Sequence, residues 1–371
     1  MNFREKLERP GPKKLLACYG GGVRGIVSIE ILAHIEVELR KLTNNPRLVL
    51  ADYFDYVAGS SVGAIIATLV ALGLSVDQIR QFFAESASEM FQKARPWERL
   101  RTKFRDARLS AALRAIIGED TTIGSDLLQT LLMIVLRNAT TNSPWPLSNN
   151  PAAIFNDRSL PSCNLDLPLW QLVRASTAAP TYFPPEVITV GEQTFIFVDG
   201  GITVYNNPAF QLFLMATSEP YRLCWPVGRE RLLLVSLGNG TSIGTESHLT
   251  PTEMNIMYHA NSIPHALMAS AQYEQDLLCR IFGETLEGET LDDEVQDLKG
   301  QGIPGTPKLF TYLRYNAELS REGLESLGIP HINPAHVRQW DSVDFLDEMR
   351  EIGAAIARHK VKTVHFAPFL V

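Results

Sequence analysis

Cysteine is scarce in these 371 residues. There are four, Cys18, Cys163, Cys224 and Cys279, far apart and without a Cys-x-x-Cys pair. Such spacing supports neither a zinc knuckle nor a disulfide scaffold, so no metal is expected, and a reducing cytoplasm is the expected compartment. An excess of basic charge is lacking too. Lys and Arg number 34 against 41 Asp and Glu, a formal charge of −7, which argues against nucleic acid as a partner. The start, Met1-Asn2-Phe3-Arg4-Glu5-Lys6, is charged and runs into Pro10-Gly11-Pro12, so no signal peptide is expected. Internal repeats and low-complexity tracts are absent. Residues 56 to 76 carry no charge and are long enough to span a bilayer. Gly59, Ser60, Ser61, Gly63 and Gly73 interrupt that run and divide it into a short strand and a helix of buried core.

What remains is a globular composition, 45% hydrophobic and 20% charged, able to bury a large core. After an N-terminal tail over residues 1–13, we read residues 14–371 as one domain. Lys14 to Tyr19 predicts a buried strand and Ile26 to Lys41 a helix with Ile31, Ile35 and Leu39 at helical spacing. Tyr53 to Val57 predicts a second strand, and residues 77 to 118 an amphipathic helical region. Asn138 to Pro151 reads as a loop, Leu169 to Ala179 as a helix stopped by Pro180, and Phe195 to Val198 as a short buried strand. Asn207 caps a following helix with Pro208 at its first position. Arg231 to Leu237 and Lys308 to Tyr315 predict strands, and residues 252 to 282 a helix. Glu284 to Asp297 reads as a solvated acidic loop, and Asp341 to Lys360 as a helix capped by Asp341. Strands alternating with helices predict an α/β domain with helices on both faces of a mostly parallel sheet.

Two glycine-rich stretches carry the chemistry. Gly59-x-Ser61-x-Gly63 sits between an apolar strand and a helix, the layout of a nucleophile elbow, with Ser61 lifted to a helix N-terminus. The flanking glycines let strand and helix approach closely. Gly20-Gly21-Gly22-Val23-Arg24-Gly25 also links a strand to a helix, so its backbone N–H groups face an anion. That loop supports two readings. As Gly-x-Gly-x-x-Gly it resembles a dinucleotide fingerprint, but Glu36 and Glu38 fall too early and Asp52 and Asp55 too late for the ribose-binding acid. As a neighbour of a serine elbow it predicts an oxyanion hole. Residues 93–108 interleave Lys93, Arg95, Arg99, Arg101, Lys103, Arg105 and Arg108 with Trp97 and Phe104, which suits an anionic membrane surface or a plain solvated face.

Taken in order, Gly20–Gly25, Gly59-x-Ser61-x-Gly63, Arg174-Ala175-Ser176-Thr177-Ala178-Ala179-Pro180-Thr181-Tyr182-Phe183 and Asp199-Gly200-Gly201 resemble the patatin-like phospholipase family. Ser236-Leu237-Gly238-Asn239-Gly240 extends the likeness more loosely. The resemblance implies a three-layer α/β/α fold and a cofactor-free lipid acyl hydrolase, acting on phospholipids or galactolipids at a membrane surface. It implies Ser61 as nucleophile, Asp199 as base, and oxyanion donors from the backbone of Gly20, Gly21, Gly22, Val23, Arg24 and Gly25. One departure stands out: Tyr19 occupies the place where the family commonly has aspartate. An aspartate base working near neutral pH needs a raised pKa, which the apolar strand before Asp199 predicts through desolvation. Arg24 has two readings, a phosphate partner or a pin for its own loop. Two rival functions remain at this level. One is a Ser-Asp-His esterase using His248, His259, His265 or His365; the other is a nucleotide-binding module built on the glycine loop. The oligomeric state is not legible.

Overall fold

Six consecutive buried residues, Lys13–Cys18 (β1), open the sheet on which the site is built. A strand covered on both faces needs such an unbroken run; of its two lysines, Lys13 donates to the Leu7 and Arg9 carbonyls and Lys14 meets a carboxylate. Asp55, fully buried, lies 3.3 Å from Lys14 Nζ and accepts the Lys14 backbone N–H at 2.8 Å. The computed structural model describes residues 3–90, 106–241, 250, 252, 254–339 and 341–370.

The other strands are β2 (Tyr56–Ser60), β3 (Leu131–Asn138), β4 (Ser143–Ser148), β5 (Glu186–Val190), β6 (Gln193–Asp199), β7 (Leu232–Leu237), β8 (Gly283–Glu287) and β9 (Phe310–Tyr315). They run in the order β5-β6-β3-β2-β1-β7-β9-β8, with β4 also paired to β3. The centre is parallel: β1 pairs with β2 and β7, β2 with β3, and β9 with β7 and β8. The edge made by β4, β5 and β6 is antiparallel.

The helices are α1 (Phe3–Glu8), α2 (Gly25–Thr43), α3 (Leu50–Tyr53), α4 (Val62–Ala71), α5 (Val76–Met90), α6 (Asp106–Ile117), α7 (Leu169–Ser176), α8 (Ala209–Thr217), α9 (Ile256–Phe282), α10 (Arg321–Ser326), α11 (Pro334–Val337) and α12 (Leu346–Lys360). α4 packs on β1, β2 and β3 and is joined by α7 and by α2, which carries α12 and α5 outward. α8 covers β1, β2 and β7, and α9 packs beside it on β8 and β9. The result is the expected three-layer α/β/α fold with a mostly parallel sheet. Residues 56 to 76 form β2, α4 and the turns beside them, and among the described residues no helix is long and apolar enough to cross a membrane.

Several local expectations need correction. The N-terminal tail contains a docked helix: Phe3 is buried, and Lys6 donates to the Phe54 carbonyl at 2.9 Å. Residues 50–53 are helical, so the second strand begins only at Tyr56. The segment after Asn138 is no loop, because β4 turns back on β3 and places Trp145 against Phe195 and Phe197. β6 is buried only at its end; Ile196 faces outward because this antiparallel edge has one covered face. The acidic stretch begins as the edge strand β8. The last long helix starts at Leu346 after a short turn capped by Ser342, rather than at Asp341.

Candidate active site

β2 stops at Ser60 and α4 begins at Val62, so Ser61 carries the whole reversal. Its φ of 55° and ψ of −130° are rare for a residue with a side chain. The turn is closed tightly: a Cβ on Gly63 would run into the Cys18 and Tyr19 carbonyls, and one on Gly59 into the Gly63 backbone. The Ser61 N–H donates to Ser176 Oγ at 3.0 Å, and Ser176 donates onward to the Val135 carbonyl at 2.7 Å. Ser176 thus braces the elbow from α7. The Ser176 hydroxyl is the signal in the sequence for this role.

Asp199 ends β6 beside this turn. Ser61 Oγ donates to Asp199 Oδ2 at 2.7 Å, and the Gly201 N–H donates to Oδ1 at 2.6 Å. Gly200 lies so close to β3 that a Cβ there would overlap the Val135 carbonyl. The carboxylate is 4% exposed. Burial raises its pKa from 3.8 to about 6, against the opposing pull of the Gly201 N–H, the Ser61 hydroxyl and the buried Arg174 guanidinium. At neutral pH the group is therefore ionised, yet basic enough to accept a serine proton.

A pH test follows from that value. Hydrolysis of a soluble ester is expected to fall as pH drops through about 6, where Asp199 takes up a proton. The stability effect has the opposite sense. A carboxyl whose folded pKa exceeds its unfolded value stabilises the fold fully below pH 3.8 and loses that contribution as pH rises through about 6. The gap corresponds to about 3 kcal/mol. Asp199→Asn is thus expected to raise the unfolding free energy from urea melts at pH 8, by up to that amount, and to change it little at pH 4. An activity limb near pH 4 would contradict the raised value.

The glycine loop abuts Ser61: a Cβ on Gly20 would sit 2.9 Å from Ser61 Cβ. Its donors are not equivalent. The Gly20 N–H points to the Asn206 carbonyl at 3.4 Å, Arg24 donates to Gly21 O at 3.2 Å, and Gly25 is engaged with the Gly22 and Val23 carbonyls. Among the described residues no acceptor takes the N–H groups of Gly21, Gly22 or Val23. Of the six expected donors, Gly20–Gly25, these three have N–H groups left open. Gly22 holds φ 58°, which a side chain would oppose. Asn239, just beyond β7, anchors the loop by donating to Gly20 O at 3.0 Å. The Arg24 side chain reaches the Gly240 carbonyl at 3.4 Å, and burial lowers its pKa to about 10. It pins the loop, to a carbonyl rather than a carboxylate.

Tyr19 explains how the loop is braced without the usual aspartate. Its buried hydroxyl accepts from Arg314 on β9, whose guanidinium lies 4.6 Å over the Tyr19 ring. Arg314 Nε is 3.0 Å from Asp276 Oδ2, and Asp276 also binds Arg280 at 2.9 Å and the Tyr312 hydroxyl at 2.8 Å. A buried ionic cluster under β9 thus fixes the residue that enters the glycine loop.

The rival constellations do not assemble. Ser61 touches Asp199 directly, leaving no place for an imidazole between them. His365 is buried against Tyr315, Nδ1 to hydroxyl 2.8 Å, and burial lowers its pKa to about 4. His259 lies on α9; His248 and the side chain of His265 fall outside the described residues. The acids considered for a ribose are committed elsewhere, Asp55 to Lys14 and Arg9 and Asp52 to the Val49 N–H. The basic segment 93–108 lies outside the described residues up to Arg105, and its remainder starts α6.

Comparison with known proteins gives three findings. The profile of the family described as patatin-like phospholipase matches residues 16–213. Patatin-17 of Solanum cardiophyllum is 27% identical over 257 residues, covering 64% of this chain and 63% of its own length. The probable inactive patatin-like protein 9 of Arabidopsis thaliana is 29% identical over 264 residues, covering 67% of this chain and 66% of its own. The chain therefore spans somewhat less than two thirds of these relatives. Among solved structures, VipD from Legionella pneumophila aligns at 14% identity with a TM-score of 0.42, over 94% of this chain and 66% of the other.

Proposed function

This chain belongs to the patatin-like phospholipase family, and on that premise we propose that it is a lipid acyl hydrolase using a Ser61–Asp199 dyad. The observation that supports the dyad is the 2.7 Å hydrogen bond from Ser61 Oγ to Asp199 Oδ2. It matters because the relatives include a probable inactive member, so membership alone does not decide catalysis.

The reaction proceeds in two balanced steps. Asp199 accepts the Ser61 proton as Oγ attacks the ester carbonyl. The oxyanion that forms faces the free N–H groups of Gly21, Gly22 and Val23 and the start of α4. Collapse breaks the ester C–O bond, and the departing alcohol takes the proton from Asp199. Water then gives its proton to Asp199 and attacks the acyl-enzyme; the fatty acid leaves and Ser61 recovers its hydrogen. The ester belongs to a phospholipid or galactolipid, the substrate class of the family resemblance.

The test is fatty-acid release from mixed phospholipid and galactolipid vesicles, followed by mass spectrometry. Free fatty acid and lysolipid are expected in equal molar amounts. Vesicles left unchanged, together with no cleavage of a soluble short-chain ester, would overturn the proposal.

A further inference from the structure

Among the described residues, the first half of α9 (Ile256–Phe282) buries no side chain. From Met254 to Tyr273 the chain has no Asp, Glu, Lys or Arg. Among the described residues none from Ile256 to Glu274 is buried. Ile256, Ile263 and Leu267 are 89%, 50% and 66% exposed, and their spacing of seven and four residues sets them on one face. A helix facing water normally carries charge on its exposed side. An uncharged, apolar, uncovered face marks a surface that meets something apolar.

The placement of α9 says what it meets. Its last turn lies at the start of β9, where Leu309 donates to the Phe282 carbonyl at 2.9 Å. Asp276 is already level with Tyr312 and Arg314, near the end of that strand. At 1.5 Å per residue, the turns before about residue 272 extend roughly 20 Å past the C-terminal edge of the parallel strands. Ser61 stands at that same edge, after the end of β2. Ile202 and Val204, exposed just beyond Asp199, add apolar side chains to it.

We propose that the N-terminal half of α9, through Ile256, Ile263 and Leu267, docks this chain on a lipid surface by apolar insertion. The proposal rests on the acyl-hydrolase reading for its choice of lipid over a protein partner. Lacking basic residues, the face is suited to zwitterionic as well as anionic bilayers, and its binding is indifferent to salt.

Flotation with phosphatidylcholine vesicles at 0.1 and 0.5 M NaCl tests it, using wild type and the triple variant Ile256→Asp, Ile263→Asp, Leu267→Asp. Wild type is expected to float equally at both salts, and the variant to lose binding at least tenfold. Its cleavage of p-nitrophenyl butyrate should stay within about twofold of wild type, because these side chains touch none of the catalytic groups. In Leu267→Trp, vesicles should shift the tryptophan emission to the blue. Three results would overturn the proposal: unchanged binding by the triple variant, binding abolished at high salt, or a wild-type dimer that the triple variant turns into a monomer. If wild type floats but cleaves no soluble ester, docking stands and the acyl-hydrolase reading fails.

Discussion

Ser61→Ala is expected to lower ester hydrolysis by a factor of about 10^4 or more while leaving the fold intact. The loss is large because the proposed acyl transfer has no other route: in it, the hydroxyl bonded to Asp199 forms the covalent intermediate. The fold survives because the change removes one oxygen from a half-buried side chain and keeps the backbone turn. The Ser61 N–H bond to Ser176 Oγ is a main-chain contact and stays. Asp199→Asn should cost roughly 10^2 to 10^4, the usual range for a lost general base. The double variant should be no slower than Ser61→Ala alone, since residues acting as a unit do not add. Initial rates on a soluble ester, with matched urea melts, read all three. Retention of more than about a hundredth of wild-type activity in Ser61→Ala would remove the serine from the mechanism.

The second large effect concerns stability. Asp276 is buried beside Arg314, Arg280 and the Tyr312 hydroxyl. Asp276→Ala would leave Arg314 only Glu289, at 3.3 Å, and Arg280 only the Glu289 and Asp297 carbonyls, and we expect a loss of roughly 3 kcal/mol in urea unfolding. Arg314→Met should cost less, because Asp276 keeps Arg280 at 2.9 Å and Tyr312 at 2.8 Å. It should still slow ester cleavage, since Tyr19 loses the donor that holds it before Gly20. Equal costs for the two variants would mean that the anion is not the hub of the cluster.

Much of the site was legible in the chain because its parts are local backbone devices. Gly59 and Gly63 announce a turn too tight for side chains, and the Gly20–Gly25 run announces donors left free by helix geometry. The raised pKa of Asp199 followed from the apolar strand before it. The errors share one cause. β4 was hidden by Pro144 and Pro146, which sit in an edge strand where their missing N–H groups cost little. β8 was hidden by acidic residues that an edge strand tolerates. α1 reads as a tail in the sequence because burial of Phe3 and Lys6 depends on residues some 50 positions away.

By itself, then, the sequence determined the strand-loop-helix units, the position of the serine elbow and the class of fold, since these depend on neighbours within a few residues. Tertiary structure alone decided which donors of the glycine loop stay free, that Ser61 meets Asp199 with no histidine between them, and that Tyr19 leans on Arg314. It also decided that Ile256, Ile263 and Leu267 of α9 stand exposed. Each of those facts is a distance between groups far apart in the chain. Periodicity and propensity carry no such distances; packing sets them.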